Sequence, residues 1–282
     1  MGTQDYAGQT RQLLEHLRLE EEPFGIVYSD EKPEDGFAPK AGMPISRELE
    51  EQGKFDMRAA LANFSCLLGN IRLARKKKRP AYISAEQYGC PGGGFYTGMY
   101  FPHLRTIEHF VSTGIPGTPM HGERYMPSPE AMRAFMERMP GKAEKKYCIF
   151  KPLSLFTANE EPEFVVLFLR PEAMSGLFAH TGFVTGEVDG VVSPFGAGCT
   201  SLVGWPRYYR ERGEERAVLG GFDPSQRKFM DMDELTFTVP LGLYQKLLAA
   251  LPESLFCVGD TWKDVRKKAV RGNAAWNAKR GE

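Results

Sequence analysis

The sequence lacks a run of apolar residues long enough to cross a membrane. Its longest strongly apolar run spans only residues 164–169, whereas a membrane-spanning helix needs about 20 such residues. The first residues are polar, without the basic and apolar segments of a secretory signal. We therefore expect a cytoplasmic protein with no membrane partner.

An excess of charge of either sign is also absent. The 36 Lys and Arg residues balance the 36 Asp and Glu residues, so the formal net charge is zero. A neutral chain has no global field that attracts polyanions, and the basic run at 75–79 is typical of a helix C-terminus. Nucleic acid is therefore not the expected partner, and a small-molecule ligand is favoured instead.

Closely spaced cysteine pairs are missing as well. The sequence has five cysteines and no C-x-x-C pair. An odd number of widely spaced cysteines argues against a disulfide framework, and the missing pair removes the strongest zinc and thioredoxin signals. We expect free thiols. Cys148 and Cys257 lie in apolar, strand-like runs, which predicts that both are buried in the core.

Strand and helix patterns alternate through most of the chain. Strands are predicted at 23–28, 81–84, 104–111, 146–150, 164–169, 188–192, 216–219 and 235–239. Helices are predicted at 6–19, 57–77, 128–139, 171–179, 200–212 with a break at Pro206, and 241–251. This alternation predicts an α/β or intermixed α+β fold, in which a mixed sheet is flanked by helices. We expect one compact domain over 1–282, with a basic C-terminal helix or tail at 261–282.

Two stretches of the chain, 57–100 and 196–230, share a layout of helix, cationic segment, strand and glycine-rich turn. Cys66 lies 24 residues before Cys90 in the first, and Cys199 lies 24 residues before Asp223 in the second. If these are repeat units, two similar halves could pack about a pseudo-twofold axis and bring the four residues to one centre. A coincidence of common α/β patterns is the alternative.

Cys90 and Cys199 are the candidate catalytic residues. Cys90 follows a predicted strand and opens what is interpreted as a glycine-rich loop, and Cys199 begins a predicted helix. Backbone N–H groups and the positive end of a helix dipole both favour a thiolate. A nucleophilic Cys90 would need a base, and His103 is the nearest histidine in the sequence.

The same region offers ligands for a cofactor. Thiolates bind zinc and iron–sulfur clusters well, so Cys66, Cys90 and Cys199 form a candidate metal site. The candidate cofactor-binding residues bring backbone or a guanidinium group close to a ligand, and they are Gly92, Gly93, Gly94, Gly196, Gly198 and Arg227. The third alternative is a non-catalytic scaffold or regulatory protein, in which the glycines only shape packing.

These motifs resemble domain-of-unknown-function family 169 over about residues 10–255. The resemblance rests on the order and spacing of Cys66, the 89–93 segment, the 196–199 segment, Arg227 and the 235–240 segment. It implies a cytoplasmic prokaryotic protein and adds weight to the three cysteines, but it implies no particular reaction. Some relatives carry a further cysteine near the second glycine-rich turn, where this chain has Phe222 and Asp223. A fully thiolate-ligated metal site is therefore less expected here.

Overall fold

The computed structural model describes residues 6–40, 65–100, 105–117, 120–157, 159–267 and 278. Its strands are β1 (Phe24–Ser29), β2 (Ala81–Ser84), β3 (Tyr147–Pro152), β4 (Phe164–Leu169), β5 (Val191–Val192), β6 (Ala217–Gly220) and β7 (Leu235–Pro240). Within these ranges the strands form one seven-stranded sheet in the order β2-β3-β1-β4-β7-β6-β5. Neighbouring strands pair antiparallel, except for the parallel pair of β5 and β6. The predicted mixed sheet is confirmed.

Helices cover both faces of this sheet. They are α1 (Tyr6–Leu17), α2 (Leu67–Lys77), α3 (Pro91–Thr97), α4 (Arg105–Val111), α5 (Pro129–Met136), α6 (Pro171–Thr185), α7 (Trp205–Glu211), α8 (Pro224–Arg227) and α9 (Leu241–Ala249). A π-helical turn, Thr200–Gly204, leads directly into α7, and residues 260–267 are also helical. None of the helices in the described ranges is long and apolar enough to span a membrane.

The central strand β4 divides its side chains between two hydrophobic cores. Its even-numbered residues pack with α2, α3, α5 and the π-helical turn, and its odd-numbered residues pack with α1, α6 and α9. This division follows from the alternation of side chains along a strand. All six residues of β4 are buried, as expected for a strand covered on both faces.

The strand predicted at 104–111 was wrong, because residues 105–111 form α4. The hydrogen bonds of Glu108 fit a helix. The buried Glu108 side chain accepts hydrogen bonds from Arg133 of α5, with Nη2 lying 2.8 Å from Oε2, and the backbone carbonyl of Glu108 accepts one from Ser112 Oγ, four residues on, at 2.5 Å. A short helix with mixed polar and apolar residues resembles strand alternation over so few positions.

The helix predicted at 57–77 is confirmed only at its C-terminal end. Residues 57–64 lie outside the described residues, and Ser65 and Cys66 are not helical. Cys66 is extended (φ −75°, ψ 133°) and immediately precedes α2. The basic last turn ends where Lys78 adopts a left-handed conformation (φ 52°).

Three other element boundaries differ from the predictions. Pro206 does not break the helix, because residues 198–211 are helical without interruption and Pro206 directly follows the π-helical turn at the start of α7. Helix α6 continues past residue 179 to Thr185 and ends at Gly186, which has a positive φ of 69°. Strand β5 is shorter than the predicted 188–192.

Candidate functional site

Three cysteine thiols and one carboxylate lie at the starts of helices. Cys66 immediately precedes α2, and Cys90 immediately precedes α3. Cys199 lies in the first turn of the helix that continues into the π-helical turn, and Asp223 caps α8. We call Cys66, Cys90, Cys199 and Asp223 the helix-start cluster. The start of a helix exposes backbone N–H groups, so the four residues share one kind of local environment.

Close backbone packing brings the segments of Cys66 and Cys90 together. Gly89 has a left-handed conformation (φ 72°), and a Cβ at this position would lie 2.0 Å from the carbonyl oxygen of Ser65. Only glycine fits such an approach. The residues before the two cysteines are therefore in contact, although they are far apart in sequence.

The segments of Cys199 and Asp223 meet in the same way. The Gly198 N–H donates a hydrogen bond to Oδ2 of Asp223 at 3.1 Å. A Cβ at Gly198 would lie 1.7 Å from Oε1 of Gln226 and 2.6 Å from Cδ1 of Leu68 in α2. Gly198 is thus enclosed between α8 and α2, and this links the second pair of helix starts to the first.

Loss of hydration raises the pKa of all three thiols, although only Cys199 is fully buried and Cys66 and Cys90 are half-buried. It raises the pKa of Cys90 to about 11, and the neighbouring Cys66 adds to that shift. Burial also raises the pKa of Cys199 well above its ordinary value, with smaller contributions from Cys66 and Cys90. The pKa of Cys66 is raised by burial and lowered in part by the N–H groups of its own helix. The sequence predicted thiolates at Cys90 and Cys199. The structure does not support this, because loss of hydration raises the pKa of each thiol by more than the N–H groups at the helix starts lower it.

The glycine-rich stretch after Cys90 is the helix α3 and not a loop. The N–H of Gly93 donates to Sγ of Cys90 (3.2 Å), and the N–H of Gly94 donates to the Cys90 carbonyl (3.1 Å). The Cys90 side chain therefore caps the helix, and its carbonyl accepts the first backbone hydrogen bond of the helix. A Cβ at Gly94 would lie 2.7 Å from Cβ of Tyr100, so this glycine makes room for an aromatic side chain. Gly92 occupies the first turn of the same helix.

The other predicted cofactor-binding residues contact the protein itself. A Cβ at Gly196 would lie 2.6 Å from Cβ of Thr200. The guanidinium of Arg227 donates to four backbone carbonyls, including those of Asp231 (2.5 Å) and Met232 (2.6 Å). Arg227 therefore fixes the loop before β7, and most of its donors are not directed at a ligand.

One polar group beside the cluster was missed by sequence reasoning. Gln226 is 1% exposed, and its Nε2 has no hydrogen-bond partner among the described residues. A buried donor without an acceptor costs about 1–3 kcal/mol. The same side chain lies against Gly198, so an acceptor bound here would be stabilised. The Asp223–Pro224 helix start is the sequence signal that could have drawn attention to it.

The predicted metal set is not supported as a site for a single ion. In the part of the chain that the structure describes, no three His, Cys, Asp or Glu side chains are arranged to hold a metal ion. The Asp223 carboxylate already accepts hydrogen bonds from the Gly198 N–H and from the N–H and hydroxyl of Ser225. The predicted base His103 lies outside the described residues.

The two remaining cysteines differ from each other. Cys148 is fully buried in β3, as predicted, and burial raises its pKa to about 12. Cys257 is exposed, so its predicted place in the core was wrong. The apolar run folds as a turn, and Phe256 takes the buried position instead.

Three surface cavities stand out among the described residues, and none is lined by a member of the helix-start cluster. One, of about 370 Å³, lies beside α2 between Arg72, Phe229 and Asp231. A cavity between the Cys90 and Cys199 segments is therefore not one of these three.

Comparison with models of known protein families shows which family the chain belongs to. The model of domain-of-unknown-function family 169, described as "Uncharacterised ArCR", matches residues 12–250. The chain belongs to this family. No curated protein and no solved structure matches the chain. Because the description of the DUF169 family supplies no reaction, function has to be argued from the geometry of the cluster.

Proposed function

We propose that this DUF169 protein binds a cofactor at the helix-start cluster, with Cys66, Cys90 and Cys199 as its protein contacts. The observation that carries the proposal is the meeting of helix starts from separate parts of the chain, three of which bring a thiol. The contacts of Gly89 with Ser65 and of Gly198 with Leu68 support it. The mutual effects of the cysteines on their pKa values support it as well.

The chemistry favours a thiolate-ligated cofactor. Three protonated thiols, one buried and two half-buried, can exchange their protons for bonds to a soft metal centre. A cluster of several irons is larger than one ion, and N–H groups directed at its sulfur ligands stabilise it. The hydrogen bond from Gly93 to Cys90 is of this kind. An iron–sulfur cluster is therefore the class that we propose.

A Cys90 nucleophile is less well supported. The attacking species is the thiolate, and a pKa of about 11 leaves Cys90 almost entirely protonated at pH 7. A purely structural scaffold is the other alternative. The buried Gln226 donor does not separate it from a ligand site, because seven other buried side-chain polar atoms of the described residues also have no hydrogen-bond partner.

Anaerobic reconstitution with ferrous iron and sulfide tests the proposal. We expect the wild type to gain visible absorption and stoichiometric iron and sulfide. Cys90→Ser and Cys199→Ser should lose most of this uptake, whereas the exposed control Cys257→Ser should keep it. Uptake should rise from pH 6.5 to pH 8.5, because the raised pKa values make protons compete with the cofactor. Equal uptake by wild type and Cys90→Ser would contradict the proposal.

A further inference from the structure

A thiol and an imidazole meet on the other face of the sheet. Cys257 is exposed, and its Sγ lies 3.5 Å from Nε2 of His16, 241 residues earlier in the chain. Their neighbour Phe256 belongs to the core of α1, α6 and α9, whereas Cys199 belongs to the opposite core. The pair is therefore separate from the helix-start cluster.

Packing holds the imidazole in place. The ring of His16 stacks on Phe256 with a centroid separation of 5.7 Å. The end of α1 is fastened to helix 260–267 by a hydrogen bond from Nη2 of Arg18 to the carbonyl of Arg266 at 3.0 Å. The thiol lies in a turn whose N–H groups bond back to Ser254. These contacts hold the imidazole and the thiol next to each other in the folded protein.

Partial burial and one nearby cation favour a neutral His16 ring near pH 7. Partial burial lowers its pKa, Arg266 of helix 260–267 lowers it further, and Glu15 of α1 opposes these effects. Nδ1 of His16 is buried without a hydrogen-bond partner among the described residues, so no second contact fixes the tautomer. In the tautomer with the proton on Nδ1, the Nε2 lone pair can accept the thiol proton. The short contact from Cys257 is directed at this nitrogen.

We propose that Cys257 and His16 form a thiol-exchange site, at which Cys257 becomes joined to a low-molecular-weight thiol as a mixed disulfide. Exposure of the sulfur gives access to the disulfide reagent. The adjacent imidazole supplies the base, which is the arrangement that activates a cysteine nucleophile.

The reaction requires only a disulfide as co-reactant. The Cys257 proton moves to Nε2 of His16, and the thiolate attacks one sulfur of the disulfide. A new sulfur–sulfur bond forms as the old one breaks, and the departing thiolate takes up a proton. Cys257 is oxidised to the mixed disulfide, and the departing half of the reagent is reduced to a thiol.

The other thiols provide an internal contrast. Cys148 and Cys199 are buried, and the pKa of each lies well above that of a free thiol. Cys90 is also kept protonated. Cys66 is half-buried, and burial raises its pKa as well. Cys257 is the exposed cysteine among the described residues, so we expect it to be the one fast-reacting thiol of the folded protein.

Reaction with 5,5′-dithiobis(2-nitrobenzoate) at pH 7 tests the site, with mass spectrometry locating the modified cysteine. We expect one fast equivalent at Cys257, which Cys257→Ser abolishes. His16→Gln should slow the reaction by about tenfold or more at pH 7. The difference should shrink in alkaline solution, where hydroxide replaces the imidazole as the base. The control Gln12→Ala alters an exposed residue of the same helix and should react like wild type.

The wild-type pH profile keeps the test decisive if His16→Gln fails to fold. A base-assisted thiol shows its rate increase over the pH range in which the imidazole loses its proton, whereas an unassisted thiol reacts fast only in more alkaline solution. The site is overturned if the fast equivalent maps to another cysteine. It is also overturned if the wild-type rate rises only in alkaline solution, or if folded His16→Gln matches wild type at every pH.

Discussion

At the scale of single residues, the most restrictive position is Gly198. It lies where the helix starts of α2, α8 and the Cys199 helix come together, and the Gln226 side chain fills the space that a Cβ would need. Close packing of Gln226 and Leu68 against the backbone explains why this position is a glycine. Sequence reasoning noticed this glycine but assigned it to a cofactor, because a sequence does not show which chain segment approaches a bare backbone.

Gly198→Ala should destabilise the protein by about 1–3 kcal/mol, because the added methyl group overpacks the contact with Gln226. Urea unfolding measures the change. The matched control is Gly182→Ala in α6, where no atom lies within 4 Å of the added Cβ. This control should be neutral or stabilising by up to about 1 kcal/mol. Equal effects of the two changes would refute the packing argument.

The protonated state of Cys90 predicts a sensitivity to alkali. Its folded pKa of about 11 lies above the ordinary thiol value of 9.0, so the unfolded chain releases this proton first as the pH rises. The stability that depends on it is complete below about pH 9 and is lost between pH 9 and 11. Cofactor-free Cys90→Ser should therefore lose less stability than wild type over this interval in chemical denaturation. Parallel pH profiles would count against the burial of the thiol.

The convergence expected of the three cysteines came from their spacing, and the contacts of Gly89 and Gly198 agree with it. Their charge state was misjudged, because burial is a property of the fold and not of neighbouring residues. The exposure of Cys257 was missed for a related reason. An apolar run can fold as a turn that buries one of its side chains and exposes the next.

At the scale of elements, the buried strands were the most predictable. The β-branched and aromatic runs of β3, β4 and β7 lie close to their predicted positions, because such side chains suit a sheet covered on both faces. Helix α3 was missed, because its glycines hide the helical period. Its start does carry a signal, a capping residue followed by proline at Cys90–Pro91, and the same signal stands at Ser128–Pro129 before α5.

The cap of α5 gives a prediction at this scale. Ser128 Oγ accepts the Ala131 N–H at 3.2 Å, so Ser128→Ala should lower stability by about 1 kcal/mol. Thermal unfolding would detect this change. The control Ser175→Ala removes an exposed hydroxyl that donates within α6 and caps no helix; it should lie within about 0.5 kcal/mol of wild type. A loss at Ser128 no larger than at Ser175 would show that the cap does not matter.

At the scale of the whole molecule, the duplication proposed for 57–100 and 196–230 stays a prediction. The order of elements agrees with it. In each unit a helix is followed by a strand and then by a helix that begins with a capping residue and proline, at Cys90–Pro91 and Asp223–Pro224. The positions in the sheet do not match, because β2 forms one edge of the described sheet, whereas β6 lies one strand in from the other edge. The cluster would then mark the place where matching ends of the two units meet.

The central claim is that the helix-start cluster holds a thiolate-ligated cofactor. Native mass spectrometry with elemental analysis of protein purified without oxygen tests it most directly. The account predicts a mass above that of the chain alone, together with iron and sulfide, in wild type and Cys257→Ser, and loss of both in folded Cys199→Ser. A wild-type protein at the mass of the bare chain, free of metal and sulfide, would contradict it.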